Sequence, residues 1–125
     1  MDLAADHVGI VVSDLERSKA FYRALGFVDG DERVMGDKTL SFMHLGDLAV
    51  ELFAYAEPAI AVDHPDRTLG FKHLALATHD IDAVYAGLHE AGVIADDIAI
   101  REMPDGWRLL FFPDPDGMEI EIKQL

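Results

Sequence analysis

The feature that most constrains the fold of this chain is an internal repeat within only 125 residues. The segment that begins His7-Val8-Gly9-Ile10 matches the segment that begins His73-Leu74-Ala75-Leu76, which lies 66 residues later. Three identities follow at the same offset: Asp14 with Asp80, Ala20 with Ala86, and Gly26 with Gly92. Each copy has a hydrophobic strand, an aspartate, an amphipathic helix, and a glycine followed by a hydrophobic residue. A repeat of this kind predicts one structural unit that occurs twice.

The first copy predicts one strand, one helix and three further strands. Residues 6–12 are rich in β-branched residues, and Asp14 is a good N-cap for a helix that ends at Gly26. The expected apolar stripe of this helix consists of Leu15, Ala20, Phe21, Ala24 and Leu25. Strands are predicted over residues 28–34, 39–45 and 48–53, with glycine-containing turns between them.

The second copy has the same order of elements. A strand is predicted over residues 72–78, followed by a helix whose apolar stripe is Ile81, Val84, Tyr85 and Leu88. Three strands are then predicted over residues 98–103, 107–112 and 118–123. We therefore expect an α+β fold, a single domain (residues 1–125) of two tandem βαβββ modules, residues 5–54 and 71–124, joined by a linker over residues 55–70. Half-chains of about sixty residues bury too little surface alone, so the two modules should form a curved mixed sheet around a trough.

Composition excludes several functions. The net charge of −14 opposes binding to nucleic acid or to anionic lipid surfaces. The absence of cysteine removes disulfides and thiolate chemistry, and the longest apolar runs are too short to cross a bilayer. Because the N-terminal residues lack a basic flank and an apolar core, no secretory signal is expected, and we predict a cytoplasmic protein.

Four candidate ligands occupy matched places in the two copies. Alternation along a strand puts His7 on one face with Gly9 and Val11, and it puts His73 on one face with Ala75 and Ala77. The larger aliphatic residues point the other way, toward a core covered by a helix. Each histidine should therefore line the trough.

The last strand of each copy supplies a carboxylate between two hydrophobic residues, in Val50-Glu51-Leu52 and Ile120-Glu121-Ile122. These glutamates should also face the trough, and two imidazoles with two carboxylates suit a divalent transition metal. Glu119 shares a face with Glu121, and spacing alone does not choose between them.

A single histidine or glutamate is common on a half-exposed strand and does not by itself indicate a metal site. The occurrence of the same pair at matched places in both copies is what favours one. The intervals from histidine to glutamate differ, at 44 and 48 residues, a difference that longer turns can absorb. The other four histidines are expected at the surface: His44, His64, His79 and His89.

The same residues resemble the vicinal oxygen chelate superfamily, which includes glyoxalase I, extradiol dioxygenases, methylmalonyl-CoA epimerase, and the fosfomycin and bleomycin resistance proteins. The similar stretches span nearly the whole chain: residues 7–15 (HVGIVVSDL), 21–22 (FY), 25–27 (LGF), 51–53 (ELF), 72–76 (KHLAL) and 112–121 (FPDPDGMEIE). The last stretch is similar to the family signature in which the glutamate after the isoleucine is the ligand, which implies Glu121 rather than Glu119.

Within this superfamily, a glutamate at the end of the first module is typical of glyoxalase I, and Glu51 matches it. The resemblance therefore implies that His7, Glu51, His73 and Glu121 bind one divalent metal ion, zinc or nickel first, with cobalt, manganese and iron as alternatives. It also implies a small-molecule substrate and a homodimer.

By this resemblance the expected function is a glyoxalase I-like (lactoylglutathione lyase-like) lyase or isomerase. Its substrate would be an α-hydroxycarbonyl compound or thiohemiacetal that reacts through an enediolate, with Glu121 as base and Glu51 assisting proton return. Glutathione-dependent members typically have an arginine and an asparagine where this chain has Val11 and Tyr55. Valine cannot clamp a carboxylate as arginine does, so the resemblance does not extend to glutathione dependence. The alternatives are a non-catalytic small-molecule binding protein and, less favoured because Glu51 fills a metal position, an enzyme similar to extradiol dioxygenases.

Overall fold

The computed structural model of the chain describes residues 1–61, 63 and 66–125. It contains two compact units, Met1–Ala61 and Val62–Leu125. His64 and part of the predicted linker lie outside the described residues. No helix in the described ranges is long and apolar enough to span a membrane.

Each unit has the βαβββ order that the repeat predicted. The first unit contains β1 (His7–Val11), α1 (Leu15–Ala24), β2 (Val28–Met35), β3 (Lys38–Leu45) and β4 (Leu48–Tyr55). The second contains β5 (Leu74–Thr78), α2 (Ile81–Glu90), β6 (Arg101–Glu102), β7 (Arg108–Pro113) and β8 (Glu119–Gln124). The predicted α+β class with two βαβββ modules is confirmed.

The strands form one four-stranded mixed sheet in each unit. The orders are β1-β4-β3-β2 and β5-β8-β7-β6, so the first strand of each unit lies beside the last. These neighbouring pairs, β1 with β4 and β5 with β8, are parallel, and all other pairs are antiparallel. The parallel arrangement requires a crossover, which the helix and the intervening strands provide.

The helices begin and end as their sequences predicted. The side chain of Asp14 accepts a hydrogen bond from the backbone N–H of Arg17 at 3.0 Å, and Asp80 accepts one from Ala83 at 2.9 Å. Each helix is followed closely by a glycine with positive φ, 96° at Gly26 and 68° at Gly92. Such backbone conformations favour glycine and stop a helix.

The predicted apolar stripe of α1 is confirmed at Leu15, Phe21 and Leu25, which are half-buried, but it is wrong at its two alanines. The helix buries Ser18, Lys19 and Tyr22, whereas Ala20 and Ala24 are exposed. The buried positions follow Leu15 at helical spacing, and Lys19 is tolerated there because its ammonium lies 2.8 Å from a carboxylate oxygen of Glu32. The stripe predicted for α2 is confirmed, since Ile81 and Leu88 are buried and Val84 and Tyr85 are half-buried.

The second strand of the second unit, β6, is shorter than predicted. The expected strand over residues 98–103 reduces to Arg101–Glu102. The N–H of Ile98 closes a turn on the carbonyl of Ala95, and the Ile98 carbonyl accepts a hydrogen bond from the Tyr85 hydroxyl at 3.0 Å. These backbone groups are therefore engaged outside the sheet.

Alternation along the last strands separates a buried hydrophobic face from the face that carries the candidate ligands. On β4, Val50 and Leu52 are fully buried, and on β8 Ile120 and Ile122 are buried. The residues between them, Glu51 and Glu121, point to the opposite face. We call this second surface the site face of each sheet.

Replacing either of two glycines near the end of α2 with alanine should change the free energy of unfolding, in opposite directions for the two positions. Gly87 lies inside the helix with open space where a β-carbon would stand, so Gly87→Ala should raise the free energy of unfolding by about 0.5–1 kcal/mol. Gly92 has φ of 68°, so Gly92→Ala should lower it by about 1–2 kcal/mol. Urea unfolding of both variants measures this difference, and equal effects would contradict the assigned helix end.

Candidate metal centre

The first unit brings His7 beside Glu51. Parallel pairing of β1 with β4 places Gly9 opposite Glu51, so His7 lies two residues earlier on the same face. The His7 Nε2 atom is 2.9 Å from a carboxylate oxygen of Glu51. The Glu51 side chain is only 10% exposed, which is unusual for a carboxylate that has no lysine or arginine partner among the described residues.

The second unit repeats this geometry with His73 and Glu121. Parallel pairing of β5 with β8 places Ala75 opposite Glu121, and His73 again lies two residues earlier. The His73 Nε2 atom is 2.9 Å from a carboxylate oxygen of Glu121, whose side chain is 13% exposed. Each unit thus holds one imidazole–carboxylate pair, His7 with Glu51 and His73 with Glu121.

The other ring nitrogen of each histidine also contacts a carboxylate. The Nδ1 atom of His7 contacts Asp6, and the Nδ1 atom of His73 is 3.2 Å from Glu119. Glu119 therefore lies on the opposite side of the imidazole from Glu121. A metal-binding histidine usually donates its second N–H to such a group, which fixes the tautomer and the ring orientation. Sequence reasoning missed this role of Asp6, although its position next to His7 was a usable signal.

A phenylalanine packs against each histidine from the neighbouring strand. Phe42 is in register with Glu51, and its ring centre is 5.3 Å from that of His7. Phe111 is in register with Glu121, and its ring centre is 5.8 Å from that of His73. The two rings restrict the imidazoles in matched ways, and no spacing rule in the sequence had singled them out.

The turn before β8 fixes the start of the strand that carries Glu121. The side chain of Asp114, which is 4% exposed, accepts hydrogen bonds from the backbone N–H groups of Asp116 and Met118 at 2.9 and 2.8 Å. The backbone N–H of Asp114 donates to the Met118 carbonyl at 2.7 Å. This closed turn sets the register in which Glu119 and Glu121 face the histidine.

Both imidazole–carboxylate pairs fit the donor geometry of a divalent metal. Two ligands at about 2.0–2.2 Å from one ion and at right angles to each other lie about 3 Å apart. The observed 2.9 Å separations match this value. The same distance suits a hydrogen bond when Nε2 is protonated, so a bound metal would replace that proton. Within residues 1–61, 63 and 66–125, no three histidine, aspartate or glutamate side chains form a ready metal-binding group.

The other described histidines are exposed, as predicted: His44, His79 and His89. His89 forms an ion pair with Asp96, with 2.8 Å between Nε2 and the carboxylate oxygen. It lies on α2, and its ring stacks on Tyr85.

Comparison with known proteins identifies the family. Residues 4–122 match the model of the glyoxalase/bleomycin resistance protein/dioxygenase superfamily. The chain is 33% identical over 120 residues to the uncharacterized protein YwkD of Bacillus subtilis, covering 93% of this chain and 92% of that protein. The chain therefore belongs to the glyoxalase/bleomycin resistance protein/dioxygenase superfamily, as its motifs predicted.

Solved structures agree with this assignment. A glyoxalase family protein from Enterococcus faecalis has a TM-score of 0.81 and 28% identity, with 97% of each chain covered. The trypanothione-dependent glyoxalase I of Leishmania major has a TM-score of 0.76 and 24% identity, covering 98% of this chain and 87% of that one. At 24% identity, the similarity to the Leishmania major structure shows a shared fold.

The contact with Asp6 changes the acid–base behaviour of His7. The hydrogen bond to Asp6 raises the pKa of the imidazole above its ordinary value of 6.5, and the negative charge of Glu51 adds to the effect. His7 of the metal-free protein therefore keeps its proton to a higher pH than an ordinary histidine does. Metal ions compete with this proton, so metal binding should weaken as the pH falls through the raised pKa.

Replacement of Asp6 tests whether its hydrogen bond is the cause of the raised His7 pKa. In the metal-free protein, Asp6→Asn should lower the pH at which His7 titrates, because the largest stabilising contact of the imidazolium is lost. Nuclear magnetic resonance of the histidine ring protons measures the midpoint. Asp2→Asn removes an equal charge from the same N-terminal segment and should leave the midpoint in place. An unchanged midpoint in Asp6→Asn would show that Asp6 does not control His7.

Proposed function

We propose that His7, Glu51, His73 and Glu121 together bind one divalent metal ion, zinc or nickel in preference to cobalt, manganese or iron. The observation that supports this most strongly is the duplication of one arrangement. Each unit has a 2.9 Å imidazole–carboxylate pair, a second carboxylate on Nδ1, and a phenylalanine against the ring. Two such pairs give the four nitrogen and oxygen donors of a catalytic centre with space for substrate.

The two pairs come together within one chain or between the chains of a homodimer, which we propose as the assembly in the cytoplasm. Either arrangement uses the same four ligands. A metal centre shared between the units also explains why the carboxylates of Glu51 and Glu121 are kept from water, since a cation offsets the cost of burying them.

We propose that the chain is a lyase or isomerase of the glyoxalase I type. Its substrate is a small α-hydroxycarbonyl compound or a thiohemiacetal of a 2-oxoaldehyde. The metal, when bound, supplies Lewis acidity that stabilises negative charge on adjacent substrate oxygens. Glu121 accepts the proton from the carbon next to the carbonyl, and Glu51 assists its return to the neighbouring carbon. Phe42 and Phe111 hold the imidazoles in place and limit the access of water.

The thiol that forms the thiohemiacetal need not be glutathione. Val11 and Tyr55 stand where glutathione-dependent enzymes typically have an arginine and an asparagine. The glyoxalase I of Leishmania major is described as trypanothione-dependent, so members of this superfamily differ in thiol. We therefore propose a thiol other than glutathione, or none.

Metal content tests the proposed centre directly. Protein purified without chelator or affinity tag should contain close to one equivalent of a divalent metal. His73→Ala should lose it almost completely, because two ligands are needed from each unit. Glu119→Gln should retain the ligands but bind metal about 10–100-fold more weakly. Elemental analysis measures the content, with the exposed His79→Ala as the matched control. Equal, near-zero metal in all proteins would favour the non-catalytic binding function instead.

Turnover tests the role of Glu121. Methylglyoxal with and without added thiols is the first substrate to assay. On any substrate that the wild-type protein converts, Glu121→Gln should reduce kcat by about 100-fold or more, since the general base is removed. The exposed Glu90→Gln on α2 is the control for loss of one carboxylate. Full turnover by Glu121→Gln would contradict the assignment.

A further inference from the structure

The site face of the second unit carries a lysine in addition to the candidate ligands. Lys123 is two residues after Glu121 on β8, so the two side chains share a face and lie roughly 7 Å apart along the strand. Its register partner on β7 is Leu109. Lys123 forms no ion pair with any part of the chain that the structure describes. An unpaired ammonium is unexpected in a chain with 24 acidic and 10 basic residues.

The ammonium of Lys123 lies directly over the indole ring of Trp107. The distance from Nζ to the ring centre is 3.8 Å, well within the range of a cation–π interaction. Trp107 is 53% exposed and is the single tryptophan of the chain. The ring therefore holds the ammonium in a defined place while leaving its remaining hydrogen-bond donors open to solvent.

A surface depression large enough for a small ligand lies beside Lys123 and Trp107. Its volume is about 380 Å³, and its lining consists of Gly106, Trp107, Arg108, Lys123, Gln124 and Leu125. The guanidinium of Arg108 is already engaged, because both of its terminal nitrogens donate to Asp82 on α2 at 2.7 and 2.9 Å. The open positive charge of the depression is therefore that of Lys123.

A second cation, Arg101, lies on the same surface. The guanidinium of Arg101 is 5.3 Å from the ring centre of Phe111, the residue that also packs against His73. Among the described residues Arg101 makes no hydrogen bond or ion pair, and its charge contributes to lowering the pKa of the Asp66 carboxyl. Together, Lys123 and Arg101 give this face of the second unit a local positive charge that favours an anion, although the chain as a whole repels anions.

We propose that Lys123, held by Trp107, binds an anionic oxygen group of the substrate, a carboxylate or a phosphate, while the reacting carbons lie near Glu121. The proposal rests on the proposed function and narrows its substrate to acids, such as a 2-oxoaldehyde or hydroxyketone that carries an acidic group. Lys123 is a positioning and specificity residue, and Trp107 supplies a flat surface for the carbon chain next to the charged group.

Two matched chelators test this proposal. The hydroxamate of succinic acid presents two adjacent oxygens and a terminal carboxylate, and its methyl ester replaces that carboxylate with an uncharged group of similar size. Calorimetry on zinc-loaded wild-type protein should show about fivefold tighter binding of the acid than of the ester, because a charge-assisted hydrogen bond forms at a partly exposed site. Lys123→Gln should abolish this preference and leave ester binding unchanged. Lys123→Arg should restore most of it.

Controls separate this proposal from the metal centre. Arg17→Gln on α1 removes an equal charge far along the sequence from β8 and should keep the preference for the acid. Equal binding of acid and ester to the wild-type protein would overturn the proposal. If neither hydroxamate binds zinc-loaded protein, the metal centre is wrong, and metal-free protein is then titrated with succinate while Trp107 fluorescence is followed. A saturable change that Lys123→Gln removes supports the anion site; no saturable change overturns it.

Discussion

The parallel pairing of the first and last strands of each unit is the constraint on which the candidate site depends. In both units the histidine lies two residues before the residue that pairs with the glutamate, Gly9 in one and Ala75 in the other. A slip of one residue in either pairing would turn the carboxylate into the hydrophobic face beside the helix. The hydrophobic residues that flank each glutamate oppose such a slip, so the burial of the core also fixes the position of the ligands.

The electrostatics of this arrangement point to a cation. Glu51 and Glu121 are nearly buried, and within the described residues each has a histidine as its ion-pair partner. A buried carboxylate destabilises a fold unless hydrogen bonds or a positive charge offset the loss of water. A neutral imidazole provides one hydrogen bond, whereas a divalent ion provides charge and takes both groups as ligands. In the proposed function, that ion would act as the electrophile for adjacent substrate oxygens, and Lys123 would supply the positive charge that an acidic substrate needs.

Much of the fold was predictable from the sequence because the same pattern of strands and helix occurs in both copies of the repeat. Alternation along the strands placed His7, Glu51, His73 and Glu121 on the correct faces, and capping by Asp14 and Asp80 located both helices. The stripe of α1 was wrong at Ala20 and Ala24 because alanines look apolar, whereas the helix buries Lys19 through an ion pair that only tertiary structure supplies. The contacts of Asp6, Phe42 and Phe111 depend on side-chain direction and strand register, which no local pattern encodes. The distinction between Glu119 and Glu121 needed the family signature, and the geometry then put them on opposite ring nitrogens of His73.

The central claim is that two pairs, far apart in the chain, act on one ion. Calorimetric titration of metal-free wild-type protein with zinc measures this most directly, because the stoichiometry counts the centres. One ion per chain, bound in a single event, is the predicted result. Two ions per chain, one for each imidazole–carboxylate pair, would contradict a shared centre, and so would the absence of binding.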